Sequence, residues 1–365
     1  MERKKVAFII SSLTSGGAER VVSTLANSLS EQFDITIITL YKCKPFYSLN
    51  DSVNVVSCKN SYSGNASIFL SVKNLFGFIY TILKLLKTHK IDIAIGFMST
   101  TNIYTIISSK LLNIPCIVSE RIHPEYSSLN NFWCKVRRFI YPLSNKLVVQ
   151  THDIKVYFES FLKPEKITII RNPLAPELLK KRDSSVKKEK IILNVGRLTN
   201  QKNQEALIKA FHKIQPKDWK LQLIGSGKNE KKYKALITEL NLQNSVTLLG
   251  NINNVFDHYN KASIFAFPSR YEGFPNALTE AMAFGLPCIS ADCPSGPSEL
   301  IENNVNGFLI PVDDDNALED ILKLLIENPE KRFDIGEKAR KSTSSFEVDY
   351  ITNEWKKLIT SLLPK

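Results

Sequence analysis

No apolar run in this 365-residue chain approaches the roughly 18 residues that a membrane-crossing helix needs. The six cysteines, Cys43, Cys58, Cys116, Cys134, Cys288 and Cys293, form no C-x-x-C pair and no Cys/His group at zinc spacing. That gives no support to a zinc centre, and free thiols of a reducing cytoplasm are the expectation. Neither G-x-G-x-x-G nor G-x4-G-K-[ST] occurs, so dinucleotide and P-loop readings find no support. There is no solenoid-length repeat, no low-complexity tract and no recognisable nucleic-acid module. The single acidic cluster, Asp313-Asp314-Asp315, runs into Asn316-Ala-Leu-Glu and reads as a capped helix start, so no metal is expected. The basic start Arg3-Lys4-Lys5 leads into a short apolar run and then a glycine turn, which reads as a first strand rather than a signal peptide.

What is present is enough for two cores: 43% of residues are hydrophobic, and the length suits two domains better than one. A strand over 6–11, a helix over 18–30 with Val22, Leu25, Ala26 and Leu29 on one face, and a strand over 35–40 make a βαβ start. Strand-like runs at 91–97, 115–119, 146–150 and 167–171 continue it, which predicts a doubly wound parallel sheet. The pattern breaks at Asn172-Pro-Leu-Ala-Pro176 and the charged run 180–190. Residues 1–175 are therefore expected to form one Rossmann-like domain, 176–190 a linker, and 191–345 a second Rossmann-like domain. Residues 346–365 form a last helix. In the second half the runs beginning at Ile191, Leu221 and Val246 end in Gly196, Gly225 and Gly250, where a strand turns tightly or a ligand approaches the backbone.

The most informative stretch lies between the strand-like runs at Ser263 and Pro287. Glu272-Gly273-Phe274-Pro275-Asn276-Ala277-Leu278-Thr279-Glu280 reads as a loop and then a helix, with Pro275 near the first helical position. The N–H groups of Asn276, Ala277 and Leu278 are expected free beside the positive end of the helix dipole, a seat for phosphate. Glu272 and Glu280, eight positions apart, flank it. As acceptor-only groups they suit the hydroxyls of a nucleoside diphosphate sugar, although solvated acids of a first helical turn would look the same. Arg197 and Lys202 follow a strand end and can converge on a diphosphate, Arg as a fork and Lys as a point charge; ordinary loop cations are the alternative. Gly16 and Gly17 either bring backbone amides to a phosphate or only turn the chain tightly.

These segments resemble the family 4 glycosyltransferases. Glu272 and Glu280 match the Glu-x7-Glu signature, Val195-Gly196-Arg197-Leu198-Thr199-Asn200-Gln201-Lys202-Asn203 looks like the Gly-Arg-Leu-x3-Lys-Asn segment, and Ser15-Gly16-Gly17-Ala18-Glu19-Arg20 looks like the glycine loop. The resemblance implies a GT-B architecture, two Rossmann-like domains facing a cleft, and retention of anomeric configuration without a bound metal or other cofactor. It implies that Arg197 and Lys202 hold and stabilise the leaving diphosphate. It also implies that Glu272 orients the sugar with the amides of Gly273 and Phe274, that Phe274 and Asn276 read the hexose, and that Glu280 grips the ribose. A double displacement would instead make Glu272 a covalent nucleophile. Relatives carry a His near the acceptor; Ser119-Glu120-Arg121-Ile122-His123 occupies that region, and either Arg121 or His123 fills the role, with Glu120 beside them. Asn172 resembles an interdomain Asn of the family, and the last helix is expected to cross back to the first domain.

Charge points to the partner. Residues 1–180 carry 22 Lys and Arg against 12 Asp and Glu, a net of +10, while residues 181–365 carry 26 against 24, a net of +2. The first half is thus the one to meet an anionic surface. Ser67 to Lys90, broken by Lys73, Lys84, Lys87 and Lys90, and Asn131 to Tyr141 mix basic and aromatic residues as interfacial helices do; ordinary helices with one buried face read the same. The resemblance favours a UDP-sugar co-substrate, including UDP-N-acetylgalactosamine, and a lipid-linked, lipopolysaccharide or capsule saccharide acceptor. The enzyme is then expected on the cytoplasmic face of the plasma membrane, with no nucleic-acid partner. A nucleotide-sugar epimerase on the same fold and a non-catalytic nucleotide-sugar sensor are the alternatives.

Overall fold

The computed structural model describes residues 3–60, 68–126, 129–252 and 254–363, and of residues 68–74 only the backbone. The chain divides into two compact units, Met1–Ala175 with Val348–Lys365, and Pro176–Glu347. The first is built on a seven-stranded sheet of β1 (Lys5–Ile10), β2 (Asp34–Tyr41), β3 (Asn54–Lys59), β4 (Ile93–Phe97), β5 (Cys116–Ser119), β6 (Lys146–Val149) and β7 (Ile167–Ile169). All pairs are parallel, in the order β3-β2-β1-β4-β5-β6-β7.

Strand β1 shows why the sheet forms. Val6, Phe8 and Ile10 enter one core with the helix Gly17–Leu29, while Ala7 and Ile9 enter another with the helices Ile68–Thr88 and Ser99–Leu112. A strand buried on both faces must be apolar at every position, which is what a parallel sheet demands. The last helix, Val348–Leu362, belongs to this unit. It sinks Ile351, Trp355 and Ile359, spaced one turn apart, into the same core as β1. Burying each of the two isoleucines contributes about 2 kcal/mol.

The second unit holds β8 (Ile191–Val195), β9 (Lys220–Ile224), β10 (Val246–Gly250), β11 (Ile264–Phe267), β12 (Cys288–Ala291) and β13 (Phe308–Ile310). Their order is β10-β9-β8-β11-β12-β13, again with every pair parallel. In each sheet the order reverses once, beside β1 and β4 and beside β8 and β11. Crevices outside the carboxyl ends of strands open at such reversals, so these are the places where ligands of doubly wound sheets bind.

Residues 176–190 do not form a free linker. Pro176–Lys180 is helical, and the charged run is fastened along the second unit. The Asp183 N–H donates to Asn260 Oδ1 at 3.0 Å, Lys188 Nζ to the Tyr259 carbonyl at 3.1 Å, and the Glu189 N–H to the Lys261 carbonyl at 2.7 Å. Backbone bonding and aliphatic stems hold a segment whose composition alone argued for solvent.

Candidate active site

Both Lys202 and Glu272 lie where the second sheet reverses its order. Gly196, Arg197 and Lys202 follow β8, and Glu272 follows the neighbouring β11. Lys202 Nζ and Glu272 Oε1 stand 2.6 Å apart with both side chains largely withdrawn from solvent. The ammonium also sits 4.7 Å from the centre of the Phe267 ring, a cation–π contact. Arg197 differs: it is exposed, and its guanidinium has no hydrogen bond or ion pair among the described residues. One cation is held and one is free.

The loop after β8 is shaped by close backbone approach. Gly225, at φ +133°, lies so near Gly196 that a Cβ would run into the Gly196 carbonyl. At this glycine neighbouring backbone therefore supplies the reason, and no ligand need be invoked.

The helix after Glu272 spans Asn276–Ala283, with Pro275 at its cap rather than inside it. Of the three amides expected free, two are taken: Asn276 N–H donates to the Phe274 carbonyl at 3.0 Å and Leu278 N–H to the Pro275 carbonyl at 3.0 Å. The tight turn at Pro275 closes the chain on itself and consumes them. Among the described residues the N–H groups of Gly273, Phe274 and Ala277 donate to nothing, so the row of open donors starts earlier and spans the loop as well as the helix. Ser295 Oγ donates to the Gly273 carbonyl at 3.0 Å and steadies that loop. Glu280, buried one turn along, accepts from the Tyr259 hydroxyl at 3.1 Å. The Cys293 thiol is pushed up to about 12 by burial, with Glu272 adding to the effect, so it is no nucleophile at neutral pH.

In the first unit the candidates are placed differently. Glu120, Arg121, His123 and Asn172 are all buried. Glu120 enters the face covered by the helix Ser99–Leu112, accepting from Ser99 Oγ at 2.8 Å and from the Tyr141 hydroxyl, and burial raises its pKa. Arg121 faces the other side, between Phe97 (5.1 Å) and Trp355 (6.0 Å), and donates to Asn172 Oδ1. Desolvation lowers its pKa to about 9. His123 packs on Tyr126 and Tyr157, its Nδ1 accepting from the Glu125 N–H at 3.4 Å, and burial lowers its pKa. Gly16 caps the helix Gly17–Leu29 in extended conformation, with the Glu19 carboxylate lying over the position a Cβ would take. An acidic side chain thus already faces that helix start.

Sequence reasoning missed Tyr259, Phe267 and Arg270. Phe267 lies in an apolar strand that shows only its burial, and Tyr259 stands among the polar residues of the helix Val255–Lys261, where nothing in the sequence marks it. Among the described residues no group of three His, Cys, Asp or Glu could hold a metal ion, and no helix is long and apolar enough to cross a membrane.

Two doubly wound parallel sheets, with basic and acidic side chains gathered at a reversal of strand order, define a two-unit α/β enzyme of the Rossmann type. Residues 15–178 match the model for Glycosyltransferase Family 4 and residues 177–342 that for Glycosyl transferases group 1. The chain is 32% identical over 361 residues to the GalNAc-alpha-(1->4)-GalNAc-alpha-(1->3)-diNAcBac-PP-undecaprenol alpha-1,4-N-acetyl-D-galactosaminyltransferase of Campylobacter jejuni subsp. jejuni, covering 98% of this chain and 99% of that protein. It is 30% identical to a second enzyme of that organism, the N-acetylgalactosamine-N,N'-diacetylbacillosaminyl-diphospho-undecaprenol 4-alpha-N-acetylgalactosaminyltransferase, over 94% of this chain and 96% of the relative. Among solved structures, Anabaena HepE in complex with UDP superposes with a TM-score of 0.79 at 21% identity, covering 98% and 100% of the two chains. Sucrose-phosphate synthase of Thermosynechococcus elongatus gives 0.82 at 18% identity, covering 99% of each. The chain belongs to the family 4 glycosyltransferases and has their GT-B fold.

Proposed function

We propose that this glycosyltransferase moves a hexose or N-acetylhexosamine, with retention, from a UDP-sugar to a lipid-linked, lipopolysaccharide or capsule saccharide. The observation that carries this reading is the Lys202–Glu272 pair at 2.6 Å with the unpaired Arg197 on the same loop. An incoming diphosphate is the stronger partner for Lys202, so it draws the ammonium from Glu272. That exchange frees the carboxylate to accept hydrogen bonds from sugar hydroxyls. Arg197, Lys202 and the open N–H groups of Gly273, Phe274 and Ala277 then stabilise the charge that grows on the leaving phosphate, without a metal ion. Glu280, oriented by Tyr259, holds the ribose.

The acceptor reading draws on the names of the two Campylobacter relatives, both transferases of N-acetylgalactosamine to undecaprenol-diphosphate-linked saccharides. The same names disfavour the epimerase and sensor alternatives. The first unit is the part we assign to the anionic membrane surface. Phe76, Tyr80, Lys84 and Lys87 make one exposed stripe of the helix Ile68–Thr88, and Phe132, Lys135 and Phe139 one of the helix Asn131–Ile140. Ser67 lies outside the described residues, as does the Lys73 side chain. His123, Arg121 and Asn172 shape the acceptor side from beneath rather than by direct contact.

A thermal-shift panel of UDP- and GDP-sugars, repeated with EDTA, tests the donor. The matching donor at a hundred times its Kd adds about 2.7 kcal/mol of stability, unchanged by the chelator. A panel in which no UDP-sugar shifts the melting point sinks the donor assignment, and a shift abolished by EDTA sinks the metal-free mechanism. Flotation with anionic liposomes at low salt tests the surface.

A further inference from the structure

Three loops meet at the donor-side ion pair, and an arginine outside the signature ties them together. Arg270 lies two residues before Glu272. Its Nε donates to Asp313 Oδ1 at 2.8 Å and Oδ2 at 3.1 Å, and its Nη1 to the Asn200 carbonyl at 2.6 Å. Its backbone N–H donates to the Gln201 carbonyl at 2.8 Å, and Gln201 Nε2 returns a bond to the Tyr271 carbonyl at 2.9 Å. Asn203 Nδ2 closes the ring on Asp313 Oδ1 at 3.1 Å. Lys202 is therefore bracketed by Gln201 and Asn203, each bonded to this network, and Glu272 follows directly on Arg270 and Tyr271.

Asn203 at φ +50° and Asp313 at φ +60° both have the positive φ that asparagine and aspartate tolerate best after glycine, so the residue types at these two turns suit the ring. Asp313 is not the helix cap: Asp314 takes that role, accepting from the Ala317 N–H at 2.9 Å. Asp313 is thus left to serve the loops. With side chains 39% and 51% exposed, Arg270 and Asp313 form a pair worth little to global stability. Its bonds nonetheless link the loops that carry the two withdrawn charges.

We propose that Arg270 and Asp313 are positioning residues that set the spacing of Lys202 and Glu272, and so align the donor diphosphate with the sugar-orienting carboxylate. The inference rests on the second unit being the donor domain. Without the clamp the two loops move independently, and a displacement of about 1 Å at reacting groups costs up to about a hundredfold in rate.

The test uses Arg270→Ala, Arg270→Lys and Asp313→Asn in the full chain; asparagine keeps the left-handed backbone while removing the charge. Both Arg270→Ala and Asp313→Asn should lower kcat about tenfold or more with the acceptor KM within about twofold of wild type. Arg270→Lys, which cannot reach Asp313 and the Asn200 carbonyl together, should recover only part of the loss. A ligand-free readout separates this inference from the donor reading: in a crystal structure of Arg270→Ala the Lys202–Glu272 contact should open beyond hydrogen-bond reach. An unchanged contact, or kcat within about twofold in both charge-removing variants, overturns the proposal. Wild-type protein that binds no UDP-sugar overturns the donor assignment, while the crystal structure still decides the clamp.

Discussion

Lys202 and Glu272, seventy positions apart in the chain, meet in the second unit, whereas Glu120 and Arg121, adjacent in the chain, turn away from each other in the first. The cause is strand geometry. Side chains at successive positions of a strand end leave opposite faces, so Glu120 enters the core beneath Tyr141 while Arg121 enters the one that holds Trp355. Two charges brought together from separate strands can be exchanged by a ligand. Two charges sunk into separate cores are held by the fold.

The sharpest way to break this contrast is to remove one partner of each. Lys202→Met strands the Glu272 carboxylate and should cost about 3 kcal/mol of stability, besides lowering turnover about a hundredfold or more. The double variant Lys202→Met/Glu272→Leu should regain most of the stability, read by chemical denaturation, and none of the activity. Recovery of turnover in the double variant would show the pair to be structural only. Next comes a comparison of two arginines. Arg197→Ala should lower kcat/KM about a hundredfold with stability changed by no more than about 0.5 kcal/mol. Arg121→Ala should do the reverse, losing about 2–4 kcal/mol while activity per folded molecule stays within a few-fold of wild type. If the two swap behaviours, the assignment of the two regions is wrong.

A pH effect is the smallest. Burial lowers the pKa of His123 below its ordinary 6.5, so the unfolded chain binds a proton in a window where the native state does not. Stability linked to His123 is therefore fully present above pH 6.5 and is lost as pH falls through that window. His123→Asn should flatten the difference in denaturation midpoint between pH 7.5 and pH 5.5; an unaltered slope would place the titration elsewhere.

How much of this could be read in advance follows from burial. Strands β1, β8 and β11 were legible because both of their faces are covered and the sequence must be apolar throughout. Strand β3, at the sheet edge and half exposed, carries a polar mixture, and β13 is three residues long, so neither stood out. Glu272, Glu280, Arg197 and Lys202 were legible as a group through their spacing. Their states were not: the donor of Asn276 is consumed by a carbonyl two residues back, and the Glu280 carboxylate is claimed by Tyr259. The burial of Arg121 defied its type, since a lone charged residue is by default placed in water. Only Phe97, Asn172 and a helix more than two hundred residues away explain it.

Taken alone, the order of residues determined the two doubly wound sheets, the strand ends that carry charge and the kinship with family 4 glycosyltransferases, because these depend on local periodicity and on short contiguous motifs. Which charges pair, which are buried and which stay open was decided by the tertiary structure. Those properties depend on distances between segments remote in the chain and on the water that packing removes, and neither is written in the spacing of one segment.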